Sequence, residues 1–534
     1  MPPSRLLADR PHRAAFVGGC VAVTAGVLLH LPMYWMGRDN GFRLADMAMD
    51  AAMLWGMALI VAGLVVAAYG LLPRAPSARD AAAAVAVLAP EDARLGPAHW
   101  RLIGVLTLAL VIDVMKPASL GFVVPGMRAE YGLSARSVAW LPFAALCGTV
   151  AGSVLWGWLA DLYGRRASIL LSAVMFVGTA ICGAMPSLWW NVGMCFLMGA
   201  AAGGMLPVTY ALLAETMPSR HRSWVLVLVG GLGAVGGYLA ASGLAAWLIP
   251  HFSWRILWLL NLPTGLLLVL LNVHIPESPK YLVARGRLAE AVATLRRFGC
   301  EVLDATAQAR QEAAAAVRRR AAGAGPAHST GRGLVARTWA LSIAAGAWGL
   351  INFGLLLWMP EHLIERGYSM ALSGLLLAAS ALIAIPTVFA AALAYGRWSS
   401  KGALLVAIGV TALGLLGVVR LELADPTQAS PVWPIALLII GTNGIIAMLL
   451  PYAAESYPLR LRGRATGWVA ACTKGGGLVA QLLSLLGWVP AMRVAALLAL
   501  APVLVALALV WRYGRETRGR DLRDLDPPAL AATD

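Results

Sequence analysis

Charged residues are scarce in this sequence. They make up 13% of the 534 residues, and 60% of the residues are hydrophobic, whereas a soluble globular domain typically has roughly 25% charged residues. This balance excludes an ordinary soluble protein. Cysteine is also scarce: the six cysteines show neither a disulfide framework nor a metal-ligand spacing. The sequence therefore predicts no metal site and no cofactor.

Long apolar runs, in contrast, are abundant. About 20 apolar residues let a helix cross the hydrocarbon of a bilayer, where it satisfies its own backbone hydrogen bonds. The sequence predicts an all-α polytopic membrane protein with fourteen such spans, at residues 14–37, 47–72, 101–125, 137–160, 167–185, 188–214, 223–249, 255–275, 337–360, 371–395, 402–419, 432–453, 465–488 and 491–511. The first run is too long for a signal-peptide core and lacks a cleavage pattern, so we expect a retained helix.

The formal net charge of +16 and the pI near 10.1 would by themselves suggest a nucleic-acid partner. Sorting the loops by side assigns about 32 of the 42 Lys and Arg residues to the cytoplasmic face, in agreement with the positive-inside rule. The basic excess therefore indicates orientation, with both termini cytoplasmic. We expect a cell membrane, in particular a bacterial inner membrane, with the lipid bilayer and not nucleic acid as partner.

One hydrophilic segment, residues 276–336, divides the last twelve spans into six and six. Within it, residues 285–322 predict one or two cytoplasmic helices and residues 323–333 a flexible linker. The pattern E-x-x-P-x-R-x-R follows the fourth span of each six, at residues 215–222 and 455–462. This repeat indicates a duplicated bundle, with chance similarity of two turns as the alternative. The predicted parts are a two-helix membrane extension at 1–95, six-helix bundles at 96–275 and 337–512, the cytoplasmic loop at 276–336, and a cytoplasmic tail at 513–534.

The loop after the second span of the first bundle reads Gly157-Trp-Leu-Ala-Asp161-Leu-Tyr-Gly164-Arg165-Arg166. It resembles the loop signature of the major facilitator superfamily, G-x-L-a-D-r-x-G-R-R. Its counterpart at residues 396–401 lacks the acid, so the two halves are expected to differ. Residues 276–282 (P-E-S-P-K-Y-L) and 516–519 (E-T-R-G) resemble segments of sugar porters, organic-ion transporters and metabolite:proton symporters. The likeness covers residues 96–520 and leaves the extension out.

This resemblance implies a monomeric secondary transporter for a small molecule, coupled to protons, and not an enzyme. It also implies a cytoplasmic gate, in which acids and arginines near the membrane edge hold the two bundles together. The residues predicted for this gate are Gly157, Asp161, Gly164, Arg165, Arg166, Glu215, Arg222, Glu455 and Arg462.

Three charges lie in the middle of predicted spans, where an ionisable side chain is costly and therefore a functional candidate. Asp113 and Lys116 share one face of the first core helix, and Lys474 lies in the eleventh. Related symporters carry the pattern D-G-x-D at this place in the first core helix. In this sequence Asp113 keeps the first acid, and Lys116 replaces the second. One aspartate and two lysines leave about one positive charge, which a carboxylate ligand would neutralise.

We therefore expect an organic anion, a carboxylate or aromatic acid, to bind Lys116 and Lys474 while Asp113 couples a proton. Two alternatives stay open: a structural ion pair between Asp113 and Lys116, and a Lys474 side chain that extends to the membrane surface. Further substrate contacts are predicted at Gln481, Asn352, Asn443 and Tyr210. Trp348 could line the cavity as an aromatic contact, and His30 and Asp50 of the extension could contact each other.

Other functions remain possible beside uptake of an anion. The same fold could export or exchange a metabolite, or carry a sugar or an organic cation, since direction follows from gradients. A membrane-embedded enzyme would need convergent catalytic groups, yet the eight histidines are scattered without a metal or acid–base grouping. A transporter-like sensor would need a larger soluble domain than the central loop provides.

Overall fold

The computed structural model describes residues 10–45, 47–72, 94–299, 331–424, 430–457 and 459–518. Over these residues the chain is helical and contains no strand. The helices are α1 (Arg10–Leu28), α2 (Leu31–Met36), α3 (Ala51–Leu71), α4 (Pro97–Tyr131), α5 (Ala135–Val138), α6 (Trp140–Tyr163), α7 (Arg165–Gly178), α8 (Leu188–Ala202), α9 (Met205–Thr216), α10 (Ser219–Phe252), α11 (Ile256–Leu259), α12 (Asn261–Leu271), α13 (Pro279–Ala284), α14 (Leu288–Arg297), α15 (Gly331–Leu350), α16 (Leu356–Glu365), α17 (Met370–Leu393), α18 (Ser400–Leu423), α19 (Val432–Ser456), α20 (Leu459–Leu485) and α21 (Met492–Tyr513).

The spans follow from the apolar runs, because a chain in hydrocarbon must bond its own backbone. Thirteen helical segments of the described chain are long and apolar enough to cross a membrane. The remaining predicted span, 465–488, is also a helix, α20, with 27 residues. It falls outside that set because Lys474, Gln481 and a run of glycines lower its mean hydropathy. The all-α polytopic prediction is confirmed.

The first core helix is longer than predicted. It runs from Pro97 to Tyr131 and ends where Gly132 adopts a left-handed conformation with φ of 63°. Proline fits the first turn of a helix because its missing N–H has no partner there, and glycine tolerates the positive φ of a helix end. The added residues carry Arg128 and Glu130 beyond the predicted boundary, and both have partners described below.

The two halves of the core meet along α4 and α16, and along α10 and α17. A side chain at Gly121 would come within 2.8 Å of the Leu357 carbonyl oxygen, and one at Gly374 within 2.9 Å of the Ala246 nitrogen. Glycine at these places allows close approach of helices from different halves. One hydrophobic core, with members in both halves, fills the space between them.

The extension packs against the outside of the first half. Its helices α1 and α3 cross where Gly19 faces Gly63 and Ala67, and their apolar faces share a cluster with α6, α7 and α12. The predicted contact between His30 and Asp50 is not a hydrogen bond. His30 Nδ1 lies 2.7 Å from the Gly26 carbonyl oxygen, and Asp50 accepts the Met53 amide at 2.8 Å as the N-cap of α3.

The central hydrophilic segment begins with two short helices, α13 and α14. The predicted helices at 285–322 thus correspond to α14 as far as Arg297, and residues 300–330 lie outside the described chain. The predicted linker at 323–333 is wrong at its end, because α15 already begins at Gly331. The helix of this span therefore continues into the loop by several residues.

Alternating spans place the loops on two faces. We call the end with Gly164, Glu277, Ser400 and Glu516 the motif face, and the end with Gly132, Trp254, Glu361 and Glu422 the far face. Both ends of the described chain, at Arg10 and Arg518, lie at the motif face.

Candidate functional site

The aromatic ring of Phe353 is the centre of a group of polar and aromatic side chains between α15, α16 and α20. Lys474 Nζ lies 4.9 Å from the centre of this ring, and the Trp348 ring lies 5.6 Å away at 86°. Gln481 Nε2 donates a hydrogen bond to the Phe353 carbonyl oxygen. Phe353 belongs to a π-helical turn, Ile351–Leu355. Such turns occur often at functional sites.

Two buried polar atoms beside Phe353 have no hydrogen-bond partner within the described residues. They are the indole Nε1 of Trp348, a donor, and the amide Oε1 of Gln481, an acceptor. Buried polar groups are nearly always hydrogen-bonded, so these two atoms keep unused hydrogen-bonding capacity beside Phe353. Asn352 is half-buried in the same π-helical turn.

Asp113 and Lys116 lie in α4, with residue exposures of 8% and 3%. Lys116 Nζ lies against the Phe176 ring of α7. The alternative of a direct Asp113–Lys116 ion pair is not seen among the described side chains, since no nitrogen–oxygen contact within 4.0 Å joins them. Both Lys116 and Lys474 lie close enough to act electrostatically on Asp113. The acid of the first half therefore lies within the field of a lysine from the second half.

Asn443 and Tyr210 lie away from this group. Asn443 donates to the Ile439 carbonyl oxygen at 2.8 Å and lines an apolar cavity of about 230 Å³ between α10, α17, α18 and α19. The Tyr210 hydroxyl lies against Gly230. The structure thus brings Lys474 and Gln481 together at Phe353, with Asn352 next to Phe353 in the same turn. It leaves Lys116, Asn443 and Tyr210 elsewhere.

A second cavity, of about 300 Å³, lies near the far face between α4, α6, α16 and α20. Gln481 and Ser484 line it, so Gln481 lies between this cavity and Phe353. At its edge Arg128 forms an ion pair with Glu361 that joins the two halves. Sequence reasoning missed this pair, although both residues stand near the same end of the first helix of their halves.

At the motif face, Glu277 holds the loop of the first half. Its carboxylate accepts the backbone amides of Arg165 at 2.8 Å and Arg166 at 3.4 Å. Gly164 has a φ of 100°, and a Cβ atom there would collide with the Glu277 carboxylate. Both the conformation and the space therefore require glycine.

The arginine of this loop reaches both predicted acids. The Arg165 guanidinium lies 3.1 Å from Asp161 and 3.6 Å from Glu215. The Ser278 hydroxyl donates to the other oxygen of Glu215. Arg166 Nε donates to Asn272 at 2.9 Å. The expected charge cluster of acid and arginine is thus present within the first half.

The second half builds the corresponding arrangement with hydroxyl groups. Glu516 accepts the Ser400 amide at 2.9 Å and the hydroxyls of Ser399 and Ser400. The Thr517 hydroxyl donates to Glu455 at 2.7 Å, as Ser278 does to Glu215. Glu455 also accepts the Ser223 hydroxyl at 2.5 Å, and this contact links the two halves.

The remaining predicted gate residues have other surroundings. Arg222 Nη2 lies 3.5 Å from the Met217 carbonyl oxygen, Gly157 faces open space, and Arg462 lies in the first turn of α20. Sequence reasoning did not assign Glu277 and Glu516 to the gate. Their signal was present, because each glutamate precedes a hydroxyl residue in a motif at the end of its half.

The pKa values of the two equivalent glutamates are shifted in opposite directions. Burial raises the pKa of Glu277 above its ordinary value, although the amides of Ser278, Arg165 and Arg166 oppose this effect. Burial also acts on Glu516, but hydrogen bonds from Ser399 and Ser400 outweigh it and lower the pKa to about 2. Hydrogen bonds to a carboxylate favour its charged form, so Glu516 stays ionised in acid.

This difference predicts the pH dependence of a Glu516→Gln variant. A lowered pKa in the folded state means that the ionised Glu516 stabilises the protein above the ordinary value of 4.5, and that this contribution is lost as the pH falls toward about 2. We expect the variant to unfold a few degrees below the parent at pH 7, and the gap to narrow below about pH 4.5. Thermal unfolding in detergent measures both. Glu365→Gln, on the far face, is the matched control and should keep the parent's melting temperature; a gap that widens in acid would contradict the expectation.

Comparison with known proteins agrees with this architecture. The family model described as Major Facilitator Superfamily matches residues 103–481. The niacin transporter NiaP of Acinetobacter baylyi is 27% identical over 457 residues, which cover 82% of this chain and 98% of that protein. The benzoate transport protein of the same organism is 25% identical over 420 residues, covering 74% and 85%.

A solved structure shares the fold. The proton:xylose symporter XylE bound to 6-bromo-6-deoxy-D-glucose aligns with a TM-score of 0.62 and 20% identity, covering 80% of this chain and 98% of that one. At this identity the likeness concerns the fold alone. Because the family model spans most of the chain, the protein belongs to the major facilitator superfamily, and it is a transporter and not an enzyme.

Proposed function

We propose that the protein moves a small organic anion across the membrane, with aromatic carboxylates as the preferred class. The observation that carries this proposal is the position of Lys474 beside the rings of Phe353 and Trp348. An ammonium group attracts a carboxylate, and aromatic rings pack against the ring of the ligand. The names of two relatives, a niacin transporter and a benzoate transport protein, support this class.

Coupling to protons is assigned to Asp113. Its carboxylate lies in the field of Lys474, so an anion that neutralises Lys474 removes a positive neighbour from Asp113. Binding of the anion then favours protonation of Asp113, because a nearby positive charge stabilises the ionised form of an acid. Anion and proton would cross together, as in a symporter.

The two halves would alternate between openings on either face. Arg128–Glu361 joins them at the far face and Ser223–Glu455 at the motif face. Opening one side requires the contact on that side to break while the other holds. We assign the motif face, with both termini, to the cytoplasm of a cell membrane, and one chain as the transporting unit, since both halves of the site come from a single chain.

The proposal predicts the outcome of a screen in proteoliposomes. Aromatic carboxylates, aliphatic carboxylates, sugars and amines are offered with and without an inward proton gradient. We expect accumulation of aromatic carboxylates only with the gradient, and none in protein-free liposomes or after a protonophore. An exclusive preference for amines or sugars would contradict the anion class. Exchange of labelled for unlabelled carboxylate with no gradient-driven accumulation would favour the alternative, a metabolite exchanger or exporter.

A further inference from the structure

Glu130, at the far end of α4, joins the extension to the transporter core. Its side chain is 4% exposed, and its carboxylate accepts the amides of Leu44 at 2.7 Å and Ala45 at 3.1 Å. From the core it accepts Trp254 Nε1 at 2.9 Å and Arg255 Nη2 at 2.7 Å. We call these five residues the Glu130 clamp.

The cation of the clamp is equally well bonded. Arg255 is fully buried and donates to the carbonyl oxygens of Met185 at 2.9 Å and Gly183 at 3.3 Å, and to the Tyr131 hydroxyl at 2.9 Å. A buried ion pair is favourable only when further hydrogen bonds satisfy both groups. For the carboxylate, two of those bonds come from the backbone of the extension, so the extension completes the site.

Backbone strain is concentrated at this junction. Phe42 and Ser253 are the non-glycine residues with positive φ in the described chain, at 60° and 63°. Phe42 stacks on Tyr34 with ring centres 4.8 Å apart, and the Tyr34 hydroxyl donates to the Phe252 carbonyl oxygen at 2.7 Å. Strained residues persist where the surroundings hold them, and they often mark functional places.

The same helix end carries the far-face ion pair. Arg128 and Glu130 are two residues apart, so they point to nearly opposite sides of α4. Glu130 is held by the extension and the core of the first half, whereas Arg128 bonds Glu361 of the second half. The position of this helix end therefore sets whether Arg128 can reach Glu361.

We propose that the extension, through the Glu130 clamp, fixes the far end of α4 in the position that closes the far face. Glu130 is a positioning residue, because it acts through Arg128 and does not touch the substrate site. In this proposal α16 of the second half moves relative to the fixed end of α4, since α16 follows a π-helical turn and contains Pro360. The inference rests on the alternation proposed above.

Accessibility of the far-face cavity tests this role. Val124 lines that cavity, so a Val124→Cys variant can be labelled by a membrane-impermeant maleimide from the far face, with the parent's own cysteines as the blank. In that background, Ala45→Pro removes one extension amide and leaves Glu130–Arg255 intact, while Glu130→Gln weakens the whole clamp. We expect the labelling rate at position 124 to rise about fivefold or more in both, because the closed state loses a charge-assisted hydrogen bond.

Two variants serve as the positive and the negative control for this labelling experiment. Arg128→Gln breaks the ion pair directly and should raise labelling to a similar degree, while Arg43→Ala, an exposed neighbour in the same loop, should leave it unchanged. Labelling of a folded Ala45→Pro protein at the parent's rate would overturn the clamp, and that variant decides alone if Glu130→Gln fails to fold. The labelling needs neither substrate nor proton gradient. A failed uptake screen would therefore overturn the proposed function without touching this result.

Discussion

Replacing Lys474 with alanine is expected to lower uptake of an aromatic carboxylate by about thirtyfold or more. The lysine lies half-buried against Phe353 within the protein. The dielectric constant is low there, so the attraction between the ammonium group and a carboxylate contributes strongly to the binding free energy. Removing one member of such a pair costs about 2–5 kcal/mol, and about 1.4 kcal/mol corresponds to a factor of ten. The fold should survive, because deleting a half-buried charge also removes its desolvation cost.

The measurement is initial uptake into proteoliposomes at matched protein content, with size-exclusion chromatography to confirm folding. Lys474→Arg keeps the charge and should retain part of the activity. Lys116→Met is the matched internal lysine; its ammonium lies against Phe176 in the first half, so we expect a smaller loss. Uptake by Lys474→Ala at the parent's rate would refute the anion site.

Asparagine in place of Asp113 is expected to abolish accumulation driven by a proton gradient. The amide has nearly the same shape as a protonated carboxyl but cannot exchange its proton. Exchange of labelled for unlabelled anion across the membrane should continue, because exchange needs no net proton movement. Loss of accumulation with retained exchange would show that proton coupling is lost while anion binding is kept. A misfolded variant would lose both activities.

Counterflow and gradient-driven uptake, measured on the same vesicles, check this expectation. Asp39→Asn is the matched control: this residue is exposed in the loop between α2 and α3 of the extension and should not couple protons. Full accumulation by Asp113→Asn under a gradient would show that Asp113 is not the proton site. The proposed anion site would not be affected by that result.

The spans and the intramembrane charges could be predicted from the sequence, because the cost of polar groups in hydrocarbon leaves few choices. The partners of those charges could not. Phe353 is an ordinary apolar residue in the sequence, and only the packing of α15 on α20 places it beside Lys474. Glu361 and Glu277 likewise gain their roles from residues more than 100 positions away.

The polarity of a residue in a predicted span was not enough to identify a substrate contact, because some polar side chains have a hydrogen-bond partner in their own helix. Asn443 is polar in an apolar helix, yet its amide bonds the carbonyl oxygen four residues earlier, which satisfies it without a ligand. Gln481 and Trp348 differ from Asn443 in that each keeps a buried polar atom without a partner among the described residues. This property appears only when the neighbours are known.

The Glu130 clamp also bears on how the chain is assembled during synthesis. Ribosomes deliver the N-terminus first, so the extension is made before α4, and Arg255 follows Glu130 by 125 residues. A carboxylate entering the translocation machinery without its arginine is a liability, because an unpaired buried charge is costly. The amides of Leu44 and Ala45, made 86 and 85 residues earlier, are available to Glu130 throughout that interval. The extension thus supplies two hydrogen-bond partners of Glu130 that precede it in the chain, whereas its arginine follows 125 residues later.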